Sequence, residues 1–369
     1  MATLALGLMS GTSCDGVSAA LVAFSGRRIK LLAHRTASYP PAFAKQLLRG
    51  PALTARELSL LNVALGERFA QAALALLKAS RTNPRRVTVI GSHGHTVYHG
   101  PRDAFPSTLQ IGASAVIAER TGIPVVADLR MRDIAAGGEG APLVPAFDAA
   151  FFGNGSARAL LNIGGIANVT IVGRGVQPIA FDTGPGNCLM DLAIQSATRN
   201  RKRCDKNGRL AARGQIDPSA IKRWWTHAYF RRQPPKSTGR ELFNAAFTDS
   251  AWRKQPSLSD RLATFTFFTA YAVAYGLKRW SPMPVREVIV SGGGVYNRTL
   301  MEHLRRLLAP ARVDSIAAYG IPPLAKEPVA FAWLAIRALK GQTNHLPGTT
   351  GARHTRLLGC VTPGIGRQR

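Results

Sequence analysis

At 369 residues the chain is too long for one ordinary core and fits two domains of roughly 150 residues each, and its 46% hydrophobic and 18% charged residues exclude extensive disorder outside the tail. The 48 Lys and Arg against 20 Asp and Glu give a net charge of +28, which attracts polyanions, yet no RNA-recognition signature, zinc-finger spacing or regular interleaving of aromatic and basic residues supports specific nucleic-acid readout. Cys14, Cys188, Cys204 and Cys360 form no CxxC pair, which argues against a disulfide framework or a cysteine zinc site and fits a reducing cytoplasm.

The opening MATLALGLMSG carries no basic leader, and no stretch approaches about 18 uninterrupted apolar residues, so a first strand is expected there and no membrane segment anywhere. Residues 3–8, 17–24 and 28–34 read as an antiparallel meander. Leu61, Leu65, Phe69, Ala72 and Leu76 recur at helical spacing within 58–79, behind a capping box of Thr54 and Glu57. Strands at 87–91 and 125–128 bracket a helix at 114–120. The Gly/Pro cluster at 137–145 breaks this pattern and sets an N-terminal domain of 1–137 against a C-terminal domain of 138–345, with 346–369 as a tail packing back on the first. Beyond the cluster a second meander (159–163, 169–172, 178–181) precedes helices at 188–198 and 261–279. A strand at 285–290 and a helix at 297–308 follow. Two halves with the same strand-then-helix grammar point to a duplicated α/β architecture. Between Arg199 and Arg240 thirteen basic residues face only Asp205 and Asp217, either an extended basic patch or a run of solvated charges.

Gly11, Thr12, Ser13 and Gly16 make a turn whose amides and hydroxyls can converge on one anion, and Asp15 beside them would repel phosphate unless Mg²⁺ bridges the two. Alone, such a turn is an ordinary Gly/Asp hairpin. Gly164 and Gly165 within NIGGIAN, and Gly292, Gly293 and Gly294 with Asn297, are two further strand ends that a phosphate or nucleoside can approach without meeting a Cβ. The Walker A pattern and a complete Rossmann spacing are absent. Asp182 follows an apolar strand at the mouth of a Gly-Pro-Gly loop, which suits a general base toward water or a sugar hydroxyl and equally a hydrogen-bonded turn. The run SHGHTVYH at 92–99 offers donors to sugar hydroxyls or a carboxylate; its three histidines also raise zinc, without the Glu or Cys of a familiar spacing. Lys236 and Arg240 in PPKSTGRE either meet an anionic substrate or are solvated.

Taken in order, MSGTSCDG, GSHGHTVYH, ADLRMRDIAAGGEGAPLVP, LLNIGGIANVT, FDTGPGN, PPKSTGRELFN, SGGGVYN and TGARHTRLLG resemble the anhydro-N-acetylmuramic acid kinase family nearly end to end. The resemblance implies an α/β fold of two ribonuclease-H-like domains of the actin-like ATPase class, with a nucleotide cleft between them. It further implies that 1,6-anhydro-N-acetylmuramic acid, ATP and water become N-acetylmuramic acid 6-phosphate and ADP, in the cytoplasm, during cell-wall recycling. ATP with Mg²⁺ and the sugar are the implied ligands, with no fixed metal site, no specific nucleic acid, no membrane, and a homodimer as the assembly. Carried over by position, Gly11, Thr12, Ser13, Cys14, Asp15, Gly16, Val17 and Ser18 cradle phosphates, while Gly164, Gly165, Gly292, Gly293, Gly294 and Asn297 flank the nucleotide. Asp182 is the implied base, and Thr96, Arg130 and Glu327 the implied sugar contacts, Arg130 suiting the lactyl carboxylate. Three positions depart from the family pattern: Ser18 where GTSxDGxD ends in Asp, Asp148 where His follows PxF, and Pro328 within KEAxxFA. The departures leave a sugar- or nucleotide-binding homologue without turnover as one alternative, and the charge leaves a nucleic-acid-associated protein as another.

Overall fold

The apolar opening stretches form an antiparallel meander of β1 (Thr3–Ser10), β2 (Gly16–Ser25) and β3 (Arg28–Ser38), as their spacing predicts. This is seen in a computed structural model that describes residues 2–11, 14–249, 252 and 256–365. β1 also pairs in parallel with β4 (Val89–Gly100), β5 (Ser107–Ile111) pairs antiparallel with the far end of β4, and β6 (Val125–Ala127) pairs in parallel with its beginning. The main order is therefore β3-β2-β1-β4-β6. β4 runs well past the expected 87–91, because Ser92, His93 and His95 are buried polar residues that interrupt the apolar run without ending the strand.

Side chains alternate across a strand, and here the two faces of the sheet carry different helices. Leu6, Leu8 and Ile90 share a core with Leu61, Leu65, Phe69 and Leu76 of helix Ala55–Ala79. The capping box forms: Thr54 Oγ1 accepts from the Glu57 amide at 3.2 Å, and the Glu57 carboxylate accepts from the Thr54 amide at 2.8 Å. Among the described residues this is the one helix long and apolar enough to cross a membrane, and half of its apolar window is buried in the fold. Gly7 and Gly91, paired on β1 and β4, face helix Lys326–Leu339 instead. A Cβ on Gly7 would meet the Pro328 carbonyl oxygen at 1.7 Å and one on Gly91 the Phe331 carbonyl oxygen at 2.1 Å. Two glycines thus let this helix rest its backbone on the sheet. Pro328 sits in its first turn, where a missing N–H costs nothing.

In the second half, β7 (Arg158–Ile163), β8 (Ile166–Val172) and β9 (Ile179–Pro185) form another antiparallel meander. β7 pairs in parallel with β10 (Glu287–Ser291), and β10 with β11 (Arg312–Ser315), giving the order β9-β8-β7-β10-β11. Three antiparallel strands followed by two parallel ones, in the same spatial order, therefore occur twice, and each copy is the ribonuclease-H-like arrangement. Helices Cys188–Ala197, Leu258–Trp280 and Arg298–Leu308 bury Ile194, Phe268, Val273, Leu300 and Leu304 in the second core.

The chain divides into two units, 1–151 with 325–369, and 152–324. The junctions lie at 152 and 325 where the sequence reading set them at 138 and 346, and packing gives the reason. Helix Pro145–Phe152 sends Phe147 and Phe151 against Trp333 at ring separations of 6.1 and 5.8 Å. Asp148 on the same helix is ion-paired with Lys326 at 3.0 Å, both buried. Within the first unit Asp133 ties the returning chain down: its carboxylate accepts from the Gly140 amide at 2.7 Å and the Thr350 hydroxyl at 2.8 Å, and His345 Nε2 lies 3.3 Å away. The last strand, β12 (Cys360–Thr362), pairs antiparallel with β6.

Candidate active site

The turn from β1 to β2 carries the first group of expected site residues; Thr12 and Ser13 lie outside the described residues. The Cys14 amide donates to the Gly11 carbonyl at 3.0 Å, with Cys14 itself left-handed at φ 53°, and the Tyr39 amide donates to the Asp15 carbonyl at 3.1 Å. A Cβ on Gly16 would meet the Ala37 carbonyl oxygen at 2.2 Å, so only glycine lets β3 close on the exit of the turn. Val17 is buried in the core. Ser18 Oγ is hydrogen-bonded to His34 Nε2 at 3.0 Å, and burial lowers the His34 pKa below its ordinary value. A neutral hydroxyl–imidazole pair therefore occupies the position where the family pattern has a carboxylate.

Beneath the turn runs a buried polar chain that the sequence reading missed. The Tyr39 hydroxyl donates to Ser10 Oγ at 2.9 Å, Ser10 Oγ bonds His95 Nδ1 at 3.1 Å, and His95 Nε2 lies 3.8 Å from Cys14 Sγ. Burial lowers the pKa of His95 and raises that of Tyr39, so both groups are neutral at neutral pH. The turn is thus fixed from below without a fixed charge.

Arg130, at the start of helix Met131–Ala135, is held on two sides. Its Nε and Nη2 contact His93 Nε2 at 3.0 and 2.8 Å, and its Nη1 donates to the Gly140 carbonyl at 2.7 Å. Burial first and the Arg130 charge second push His93 well below its ordinary pKa. It is therefore a neutral acceptor at Nε2, with Nδ1–H donating to the Gly94 carbonyl at 3.1 Å. Burial brings Arg130 down to about 10, against the pull of Glu327 and Asp133, which leaves it cationic at neutral pH. Glu327 is raised by burial, with Lys326 and Arg130 opposing. Arg130 and Glu327 are thus electrostatic neighbours, while Thr96 is half-buried and accepts from Gln110 Nε2 at 3.3 Å. The three histidines of SHGHTVYH diverge: His93 supports Arg130, His95 supports the turn, and His99 Nδ1 bonds Thr108 Oγ1 at 3.0 Å. Among the described residues no three metal-ligating side chains come together.

In the second unit β9 is an edge strand, and residues from 229 to 238 complete that edge around Asp182. The Asp182 amide donates to the Lys236 carbonyl at 3.0 Å, the Thr238 amide donates to Asp182 Oδ2 at 2.9 Å, and the Tyr229 hydroxyl donates to the Asp182 carbonyl at 2.7 Å. Asp182 stands opposite Asn168 and Gly184 opposite Ala167, so Thr183 is the extra residue of a bulge that re-aims the strand end. A half-buried carboxylate with one oxygen fixed by an amide, at a bulged strand end, can receive a proton from a reactant.

The glycines of this unit divide into two kinds. The carbonyls of Gly164 and Gly165 accept from the Asn187 amide at 2.8 Å and from the Gly186 and Cys188 amides at 2.9 and 3.1 Å, closing the start of helix Cys188–Ala197. Gly292, at φ 83°, would place a Cβ 2.6 Å from the Ile163 carbonyl oxygen, and Gly294 one 2.4 Å from the Ile163 side chain. Packing alone requires those two. A Cβ on Gly165 would come within 2.9 Å of the Arg240 guanidinium, a flexible neighbour, whereas on Gly164 or Gly293 it would meet nothing closer than 3.7 Å. Asn297 Oδ1 accepts from the Leu300 amide at 3.0 Å as the cap of helix Arg298–Leu308.

The anhydro-N-acetylmuramic acid kinase family profile matches residues 3–364. Proteins named anhydro-N-acetylmuramic acid kinase from Caldanaerobacter subterraneus subsp. tengcongensis, Acidithiobacillus ferrooxidans and Xylella fastidiosa are 40%, 42% and 41% identical. The alignments cover 97%, 97% and 98% of this chain and 96%, 92% and 97% of those relatives. With a duplicated ribonuclease-H-like fold and matches of this extent, the chain belongs to the anhydro-N-acetylmuramic acid kinase family.

Proposed function

We infer that the chain is an active kinase that opens 1,6-anhydro-N-acetylmuramic acid hydrolytically and phosphorylates it, with ATP as donor. The observation that carries the reading is the Asp182 carboxylate, positioned through Thr238, Lys236 and Tyr229. Asp182 takes a proton from water as that water adds to the anomeric carbon; the bond from this carbon to O6 breaks, and O6 takes the γ-phosphoryl group while ADP leaves. The products are N-acetylmuramic acid 6-phosphate and ADP.

The β1–β2 turn receives the phosphates. Its neutral underpinning by Tyr39, Ser10 and His95 adds no repelling charge, and Asp15 at its exit accounts for a need for Mg²⁺, which screens phosphate charge when bound. Gly164 and Gly293 are glycines that packing does not require, which supports their placement beside the nucleotide. Arg130, braced by His93 and Gly140, offers a guanidinium to the lactyl carboxylate, and Glu327 and Thr96 are the further sugar contacts. Ser18 is accommodated by His34, and Asp148 by Lys326, so two of the three departures have local partners. The enzyme acts in the cytoplasm as a homodimer in cell-wall recycling, with the sugar and ATP as its ligands and neither specific nucleic acid nor membrane as partner.

Incubating the purified protein with the anhydro sugar, Mg²⁺ and ATP is expected to yield ADP and a reducing sugar phosphate in equal amounts. Yields no higher than those of a heat-killed control would reject the reading in favour of a binding homologue.

A further inference from the structure

We propose that Lys236 is a positioning residue for Asp182: its ammonium holds the backbone that carries the base and offsets the carboxylate charge against the transferring phosphoryl group. The inference rests on the role given to Asp182 above. Three residues close a ring of contacts. The Asp182 amide donates to the Lys236 carbonyl at 3.0 Å, the Tyr229 hydroxyl donates to the Asp182 carbonyl at 2.7 Å, and Lys236 Nζ donates to the Tyr229 carbonyl at 3.4 Å. Nζ also lies 4.7 Å from the centre of the Tyr229 ring. Thr238, two residues beyond Lys236, donates its amide to Asp182 Oδ2.

Lys236 is only 5% exposed, and burying an ammonium is costly unless its charge is compensated. A ring face and one long hydrogen bond are thin compensation for three N–H donors. A leucine or methionine would fill the space without that cost, so the charge itself needs a use. The reaction supplies one. Water adds to the anomeric carbon while O6, bonded to that same carbon, takes the phosphoryl group, so one small bicyclic sugar brings the carboxylate and the γ-phosphate together. Two anions brought together by one small sugar repel, and a cation that attracts the carboxylate, as Lys236 does, offsets the repulsion.

Among the described residues, the charged and titratable groups facing Lys236 are Asp182, Arg232 and Tyr229. Burial first and Arg232 second bring Lys236 down to about 8, with Asp182 pulling the other way. Tyr229 is raised by burial and by Asp182 and stays neutral. The ammonium is therefore present below pH 8 and lost as pH rises through that value, so turnover should fall on the alkaline side.

The test is kcat and KM for ATP against pH in the wild type, K236M, K236R and R232Q. We expect the wild-type rate to fall as pH rises through about 8. K236R, whose charge does not titrate there, should keep a substantial rate without that fall. K236M should lack the fall and run at least about tenfold slower throughout, with a raised KM for ATP. R232Q leaves Lys236 in place and removes an opposing charge, so the fall should move to higher pH at an unchanged plateau. Its result stands even if K236M does not fold. A wild type with no alkaline fall, a fall that persists in K236M, or one unmoved in R232Q overturns the proposal. Substantial turnover in D182N would instead overturn the base on which it rests, whereas an inactive D182N beside a K236M of wild-type rate and profile removes Lys236 alone.

Discussion

Asp182→Asn is expected to lower turnover by roughly 10²–10⁴-fold while ATP affinity stays within a few-fold, because the substitution removes a proton acceptor and leaves the β1–β2 turn intact. The geometry makes this a clean change. An asparagine oxygen can still accept from the Thr238 amide, and the backbone bonds to Lys236 and Tyr229 do not involve the side chain. The loss should appear in kcat in steady-state kinetics, with nucleotide binding followed separately by titration calorimetry. A variant turning over at a sizeable fraction of the wild-type rate would take Asp182 out of the base role.

The second large effect concerns stability. Asp148 and Lys326 are 0% and 3% exposed and paired at 3.0 Å, joining helix Pro145–Phe152 to the first turn of helix Lys326–Leu339. Removing one partner of a buried ion pair typically costs about 3–5 kcal/mol, far more than an exposed pair contributes. Lys326→Met should therefore lower the free energy of unfolding by about that amount, read as a fall in the urea midpoint at unchanged slope. Replacing both partners by apolar residues of similar volume should recover most of the loss. A single substitution costing less than about 1 kcal/mol would show that the pair is not the lock it resembles. Because Glu327 follows Lys326 directly, the single variant should also lose affinity for the sugar.

What the sequence made legible follows from local periodicity. Both meanders, the helix bearing Leu61, Leu65, Phe69, Ala72 and Leu76, and its Thr54–Glu57 cap are encoded within short windows, and each forms as read. Helix Lys326–Leu339 was not foreseen. It is buried on nearly all sides, so it presents no broad polar face to mark it as a helix, and Pro328 stands in its first turn. The second half of β4 escaped for the opposite reason, since its buried polar residues include His93 and His95, which are satisfied by partners far along the chain. In the site, the glycines and Asp182 could be picked out by their places at strand ends. What tunes them could not. Tyr229, Lys236 and Thr238 meet Asp182 from some fifty residues downstream, and His93 meets Arg130 from another strand, contacts that exist only after folding. Asn297, read as a nucleotide neighbour, caps a helix, a use that the pattern SGGGVYN does not distinguish from ligand binding.

The central claim is that water enters at the sugar carbon while phosphorus moves to the sugar oxygen, and its most direct test is a short reaction in ¹⁸O-water with the product reduced at once by borohydride. The account predicts one ¹⁸O at the anomeric position of the sugar phosphate and none in its phosphoryl group. Label in phosphate, or unlabelled sugar phosphate at early times, would contradict it.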